Sequence, residues 1–150
     1  MIAVIQRVSS AQVVVDEQVT GKINKGFLVL LGITHNDTDE DLSWLMQKII
    51  GLRVFSDADG KMNLNLQAVD GNILLVSQFT LFASTKKGNR PSFTEAAPPS
   101  VAIPFYEKAI AWLSQELGKD VQTGIFGADM QVTLVNDGPV TICIDTKDRK

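Results

Sequence analysis

The chain has very few of the side chains that enzymes use to bind metals or to move protons at neutral pH. Its 150 residues include one histidine and one cysteine. A zinc site would therefore need carboxylates, and a serine–histidine–aspartate triad would have to use His35. His35 lies in a polar loop that favours a solvated role, whereas the strand-like run around Cys143 predicts a buried thiol. We expect neither a metal nor a cofactor.

The sequence also lacks an excess of basic residues and any long apolar run. Its formal net charge of −3 argues against DNA as a partner and against a broad nucleic-acid surface, but not against contact with one RNA end. No apolar stretch approaches the length of a membrane span, and Met1–Val8 lacks the features of a signal peptide. These absences predict a cytoplasmic protein without a membrane partner.

The apolar pattern that is present predicts one mixed α/β domain over residues 1–150. Apolar stripes indicate two helices, one over about 39–50 with Thr38 as its N-cap, and one that ends near Gly118. Because helices must cover an apolar face, we expect antiparallel-rich, barrel-like β-sheets with both helices packed on one side. The predicted strands are Met1–Val8, Ala11–Asp16, Gln18–Ile23, Phe27–Ile33, about 72–82, and a hairpin of 130–136 with 139–146.

The tip of this predicted hairpin, Asn136–Thr141, contains both an Asp-Gly pair and a proline. Asp137-Gly138 is typical of a tight turn, and Pro139 cannot donate a ladder hydrogen bond. An X-Pro bond is also the one place where a cis peptide is common. One interpretation is a turn with an edge-blocking proline, and the other is a backbone shaped for a ligand.

A second stretch, Ser77–Leu81, follows the apolar run 73–76. If the strand continues to residue 82, alternation places Gln78 and Thr80 on one face. Polar groups on a buried strand need partners, so they are either satisfied core groups or part of a site. The loop after this strand carries Lys86, Lys87 and Arg90, which form either a solvated loop or a local phosphate contact.

The two stretches together, SQFTL at 77–81 and NDGPVT at 136–141, resemble the signature motifs of the D-aminoacyl-tRNA deacylases. The resemblance extends along nearly the whole chain. Further matches in the same order are MIAVIQRV at 1–8, RVFSD at 53–57, KMNLN at 61–65, RPSF at 90–93 and FGADM at 126–130.

The resemblance implies hydrolysis of the ester that links a D-amino acid, or mischarged glycine, to the 3′ end of tRNA. It also implies α/β/β layers, a homodimer, no metal, and a Gly-cisPro element that enters the neighbouring subunit's pocket to reject L-aminoacyl-tRNA. The residues that match the family's functional positions are Ser77, Gln78, Phe79 and Thr80 in the catalytic motif, Gly138 and Pro139 in the Gly-cisPro element, Arg7 beside that element, and Phe126 and Met130 at the pocket.

The scarcity of ionisable catalysts restricts such a protein to substrates that are already reactive, and an aminoacyl ester is one. Three roles stay open for Thr80, which are attack on the ester, orientation of a water molecule, and binding alone. It has no adjacent base, and an unassisted hydroxyl is a weak nucleophile. We favour backbone N–H groups as oxyanion donors, with water or the ribose 2′-OH handling the proton. Two rival hypotheses are a non-catalytic module that binds the tRNA end, and an amidase or esterase that uses Thr80 on small molecules.

Overall fold

The computed structural model describes residues 1–150 and contains eight strands, two α-helices and two short 3₁₀ turns. No helix is both long and apolar enough to cross a membrane. The elements are β1 (Ile2–Val15), β2 (Gln18–Ile23), β3 (Gly26–Gly32), α1 (Asp39–Gly51), β4 (Phe55–Ser56), β5 (Met62–Leu64), a 3₁₀ turn (Gln67–Val69), β6 (Asn72–Ser77), a second 3₁₀ turn (Phe79–Phe82), α2 (Pro99–Leu117), β7 (Gln122–Thr123) and β8 (Gln131–Asp145).

Strand β1 is the spine of the main sheet, since it pairs with three other strands. Along one edge it is antiparallel to β3 and then to β2, and along the other edge it is antiparallel to β8. Strands β6 and β7 extend the sheet beyond β3 in parallel pairs. The sheet nearly closes where β2 meets β7, at the Thr20 hydroxyl 3.4 Å from the Thr123 carbonyl.

Both helices pack on one side of this barrel-like sheet, which confirms the predicted architecture. Helix α1 starts as predicted, because the Thr38 hydroxyl accepts the Asp41 N–H and the Asp41 carboxylate accepts the Thr38 N–H. A core of 23 buried residues, including Phe27, Leu45 and Ile49, lies between helices and sheet. A smaller core inside the barrel contains Val8, Val13, Leu28, Leu74 and Val76.

The strand prediction for 72–82 was wrong beyond Ser77. The neighbouring strand β3 ends at Gly32, and the last ladder-like bond runs from the Gln78 N–H to the Leu31 carbonyl at 2.8 Å. With no partner strand beyond that point, the chain turns into the Phe79–Phe82 3₁₀ turn. Gln78 and Thr80 are therefore not alternate residues of one strand face.

The hairpin prediction for 130–146 was also wrong, because both halves belong to the single strand β8. Each half pairs with β1, and the 14 residues of β1 are long enough to accept both. Apolar alternation on both sides of a turn signal is equally compatible with a hairpin and with one strand that carries a bulge. Cys143 is exposed on this strand, so the predicted buried thiol was wrong as well.

A buried ion pair joins the two ends of the chain to the loop before α1. The α-ammonium of Met1 donates to the Asp37 carboxylate at 2.5 Å and to the Thr146 hydroxyl at 2.7 Å, and the Met1–Asp37 pair is inaccessible to solvent. Asp41 lies nearby. Burial opposes its ionisation, but hydrogen bonds from Lys147 and Thr38 outweigh this effect and hold the pKa of Asp41 well below its usual range. Ionised groups thus fix the C-terminal segment to α1.

We expect the Asp37→Asn substitution to lower the free energy of unfolding by roughly 3–5 kcal/mol, because it leaves the buried ammonium without a counter-ion. Urea denaturation measures this loss. The matched control is Asp39→Asn, whose carboxylate is 73% exposed in a surface pair with Lys108 and should change stability by less than about 1 kcal/mol. Equal losses in the two variants would contradict the role assigned to the buried pair.

Candidate active site

The residues after β6 form a compact turn whose shape depends on Gly32. A β-carbon built at Gly32 would lie 3.1 Å from the side chains of Leu81 and Phe82 and 3.2 Å from the Gln78 carbonyl. Within the turn, the Leu81 N–H bonds the Gln78 carbonyl at 3.3 Å. The first N–H groups of such a turn have no partner inside it. They are available to an acceptor from outside.

A cleft of about 280 Å³ opens beside this turn. It brings together Ser77, Gln78 and Phe79 with Phe126 and Met130, all of which the sequence predicted as site residues. Ten of its 14 lining residues are hydrophobic, so a ligand here meets mainly apolar walls and few polar groups. The other residues of the wall are Leu31, Ile33, Val76, Ala97, Ala102, Gly127, Ala128, Asp129 and Val132.

Thr80 lies outside this cleft wall, on the exposed side of the turn. Its hydroxyl oxygen accepts a hydrogen bond from the Gln78 side-chain amide. An amide cannot act as a base, so this contact positions the Thr80 hydroxyl without activating it. The arrangement is therefore suited to binding or orientation rather than to nucleophilic attack by Thr80.

Aromatic side chains pack against the cleft from two sides. The buried Tyr106 hydroxyl of α2 donates to the Leu75 carbonyl at 2.8 Å, and the Tyr106 ring lies 6.0 Å from that of Phe126. Burial raises the pKa of Tyr106 to about 12, so this donor stays protonated. On the outer side, Phe93 packs edge-on against Phe79 at 5.2 Å. Helix α2 thereby fixes both the end of β6 and one cleft wall.

The NDGP segment is a large bulge in β8 rather than a hairpin tip. The four residues Asp137–Val140 lie opposite the single residue Arg7 of β1. Asn136 closes the bulge by accepting the Val140 N–H at 3.0 Å and donating to the Val140 carbonyl at 3.1 Å. The Gly138–Pro139 peptide bond is cis, and both residues are exposed.

Arg7 anchors the bulge to the neighbouring backbone. Its guanidinium donates to the Asp137 carbonyl at 2.7 Å and to the Val54 carbonyl at 2.5 Å, and its side chain is only 12% exposed. A β-carbon built at Gly138 would lie 2.2 Å from the Val140 nitrogen, so this position accepts only glycine without a backbone shift. The bulge is consequently a fixed backbone projection.

The structure does not bring all the predicted site residues together within one chain. Gly138, Pro139 and Arg7 are absent from the cleft wall. The predicted RNA-contacting residues lie on an exposed loop whose base is closed by the Ser84–Ser92 backbone pair, with N···O distances of 2.8 and 2.9 Å. The loop residues concerned are Lys86, Lys87 and Arg90.

Two residues at the cleft, Tyr106 and Asp129, were not among the predicted site residues. Tyr106 contributes to the apolar stripe that predicts α2, but no local pattern predicts its hydroxyl contact with the Leu75 carbonyl. Asp129 lines the cleft as its single ionisable group, and one isolated aspartate carries no ligand spacing. No three histidine, cysteine, aspartate or glutamate side chains come together, and His35 contacts the Thr94 carbonyl at 3.1 Å.

Comparisons with known proteins agree on one family. The family model described as D-Tyr-tRNA(Tyr) deacylase matches residues 4–145. Proteins named D-aminoacyl-tRNA deacylase from Cytophaga hutchinsonii and Flavobacterium johnsoniae are 59% and 58% identical to this chain, and each match covers 100% of both chains.

Solved structures show the same fold. The structure titled "c-Myc DNA Unwinding Element Binding Protein" is 42% identical, has a TM-score of 0.89, and aligns over 97% of this chain and 98% of that chain. A structure described as a probable eukaryotic D-amino acid tRNA deacylase aligns over 95% of this chain and 97% of that chain with a TM-score of 0.83. At 16% identity, the second match shows the fold alone.

Proposed function

This chain belongs to the D-Tyr-tRNA(Tyr) deacylase family and is a hydrolase of D-aminoacyl-tRNA, and on that premise we propose that it also releases mischarged glycine while sparing L-aminoacyl-tRNA. The observation that carries this proposal is the cleft beside the Ser77–Phe82 segment. It combines mostly apolar walls with the neutral side chains of Ser77 and Gln78 and one carboxylate, Asp129, and contains no histidine, cysteine or lysine. Such a site suits an ester that is already reactive and mainly needs to be positioned.

In the proposed reaction a water oxygen attacks the ester carbonyl carbon, and the bond from that carbon to the ribose 3′ oxygen breaks. The proton lost by the water passes to the departing ribose oxygen through water or the neighbouring 2′-OH, so the products are the free amino acid and tRNA. The free N–H groups at the start of the Phe79–Phe82 turn donate to the developing oxyanion. Gln78 and Thr80 orient the substrate and do not attack it, because neither side chain has a base beside it that could take a proton.

We further propose that the reaction needs no metal ion. The chain has one histidine and one cysteine, His35 and Cys143. His35 is engaged with the Thr94 carbonyl, and Cys143 lies on strand β8, outside the cleft wall. Neither residue meets two further ligands of the kind that zinc sites use.

Selection against L-aminoacyl-tRNA must depend on the stereocentre, because D and L forms carry the same side chains. We assign this selection to the Gly138–Pro139 bulge, whose carbonyl oxygens can accept hydrogen bonds from the substrate's α-ammonium. Arg7 and Asn136 hold the flanking residues of the bulge in place, through the Asp137 carbonyl and the Val140 N–H respectively. With the ammonium, the carbonyl and the ribose fixed, an L side chain would collide with the protein. Glycine has no side chain to exclude and would be hydrolysed.

The bulge would reach a cleft in a second copy of the chain, since it does not line the cleft of its own chain. Two features favour a homodimer. Strand β8 pairs only with β1, so its other edge is free. Half-buried Val4 and Leu30 also lie beside the exposed Cys143 in one row across the sheet, on the face opposite the helices. A second copy would cover this apolar row.

Hydrolysis with stereochemical selection is tested by measuring amino-acid release from D-tyrosyl-, glycyl- and L-tyrosyl-tRNA in the presence of EDTA. We expect D-tyrosine and glycine to be released at least about a hundredfold faster than L-tyrosine, which corresponds to about 2.7 kcal/mol of discrimination. Binding of tRNA without release would indicate a non-catalytic module, and equal release of all three would contradict stereochemical selection. Activity that EDTA abolishes and one added divalent ion restores would contradict metal independence.

The dimer is tested with Cys143→Arg, which places a charge in the proposed interface. Because Cys143 is exposed in the isolated chain, the variant should fold normally but become monomeric and lose most of its deacylase activity. Light scattering after size-exclusion chromatography gives the mass. The control Val19→Arg changes a residue that is 56% exposed on β2 and should retain both dimer and activity. A fully active monomer would rule out a contribution of the partner's bulge.

The exposed residues Lys86, Lys87 and Arg90 are proposed to contact phosphates near the tRNA end. Replacing all three by alanine should weaken tRNA binding and reduce the slope of log K against log salt concentration by up to about 2–3, because each lost phosphate contact contributes about 0.7–0.9. Fluorescence anisotropy over a salt series measures this slope.

The matched control replaces three exposed lysines elsewhere, Lys22, Lys48 and Lys61, by alanine. It makes the same change in net charge and should leave the slope within about one-third of a unit of the wild-type value, because no phosphate contact is lost. If both triple variants lower the slope equally, only overall charge matters and the loop is a solvated surface.

A further inference from the structure

Asp129 is the one ionisable side chain in the wall of the cleft. The other polar side chains there, Ser77 and Gln78, are neutral. No lysine, arginine or histidine lies within ion-pairing distance of the Asp129 carboxylate, and the carboxylate is exposed. The cleft thus presents one uncompensated negative charge among mostly apolar walls.

This charge is unfavourable for a site that receives the phosphate-rich end of an RNA. Two unit charges 4 Å apart interact by roughly 1 kcal/mol in water and by roughly 4 kcal/mol at the effective dielectric of a protein surface. The aminoacyl end of the substrate carries one group of opposite sign for every amino acid, which is the α-ammonium. Attraction between Asp129 and this ammonium offsets the repulsion that the phosphates experience.

The carbonyls of the Gly138–Pro139 bulge cannot supply the same selection. A neutral carbonyl accepts a hydrogen bond from an ammonium, but it also accepts one from the amide N–H of an N-acylated amino acid. A carboxylate distinguishes the two, since its interaction with a cation is much stronger than its interaction with a neutral amide. Charge recognition in the cleft therefore falls to Asp129.

We propose that Asp129 is a specificity-determining residue that selects aminoacyl esters with a free, protonated α-amino group over N-acylated esters such as formylated or peptidyl forms. This proposal rests on the proposed function, because it concerns the same cleft and the same ester. Under this proposal the protein selects its substrate by the charge of the α-amino group as well as by the stereochemistry, which is assigned to the bulge.

The test compares D-tyrosyl-tRNA with chemically prepared N-acetyl-D-tyrosyl-tRNA, using wild-type protein and Asp129→Asn. The wild type should hydrolyse the free-amino substrate with the higher kcat/KM. The substitution should lower that kcat/KM by about tenfold, equivalent to about 1.4 kcal/mol, and leave the value for the N-acetyl substrate within about twofold. Asp129→Glu, which keeps the charge, should restore part of the loss.

The pH dependence separates recognition of charge from a structural effect. An α-amino group has a pKa of about 7.7–8.0 and is protonated below it. The advantage of the wild type over Asp129→Asn should therefore be nearly complete at about pH 6.5, fall to about half near pH 7.7–8.0 and be largely lost by about pH 9, where the ammonium has lost its charge. A structural defect would give the same ratio at every pH.

The control is Asp120→Asn, which removes an exposed carboxylate outside the cleft wall and should leave both substrates unaffected. Equal losses on the two substrates in Asp129→Asn, or a wild type that hydrolyses both equally, would overturn the proposal while the deacylase function stands. A wild type that hydrolyses neither substrate would overturn the proposed function itself.

Discussion

The structure depends on a mismatch in residue number between β1 and β8. Apart from one further irregularity between Val8 and Ser10, the two strands pair in antiparallel register on either side of Arg7, but four residues of β8 face this one residue of β1. The surplus cannot join the ladder, so it projects from the sheet, and the Asn136 side chain bonds Val140 in place of the missing strand partner. A rigid sheet on both sides of the bulge is what gives exposed Gly138 and Pro139 a fixed position.

A second loss of pairing, between β3 and β6, produces the turn beside the cleft. Strand β3 stops at Gly32, while the chain of β6 continues past its last partner at Leu31. Residues that leave a ladder at this point have free N–H groups, and the 3₁₀ turn at Phe79–Phe82 presents them beside the cleft. Both segments of the proposed site thus arise where the chain leaves its pairing with a neighbouring strand.

The sequence predicted the elements whose signals are local. The Thr38 cap with the following acidic residues identified α1, and the apolar run 73–76 identified β6, because capping and continuous burial both leave a pattern within a few residues. The extent of pairing has no such pattern. Whether 130–146 is a hairpin or one strand depends on the length of β1, which is distant in sequence, and so the exposure of Cys143 was also missed.

The candidate site also contains residues that the sequence predicted and residues whose roles depend on distant parts of the chain. Ser77, Gln78, Phe79, Phe126 and Met130 meet in one cleft, and the resemblance had already grouped them. Asp129 and Tyr106 were missed, because their roles depend on the cleft wall and on a contact between α2 and β6 rather than on spacing. The relation of Gly138 to the cleft could not be read from one chain, because in the proposed homodimer the bulge reaches the cleft of a second copy.

The shortage of ionisable side chains is consistent with the way such a site must discriminate. A strong general base would also hydrolyse any L-aminoacyl ester that entered briefly, because the chemical step is identical for both enantiomers. A site that supplies mainly position gives little acceleration unless the ester, the ammonium and the ribose are all in place together. In the mechanism we propose, weak intrinsic catalysis makes the rate depend on geometry, and the bulge held by Arg7 would convert this geometry into stereochemical selection.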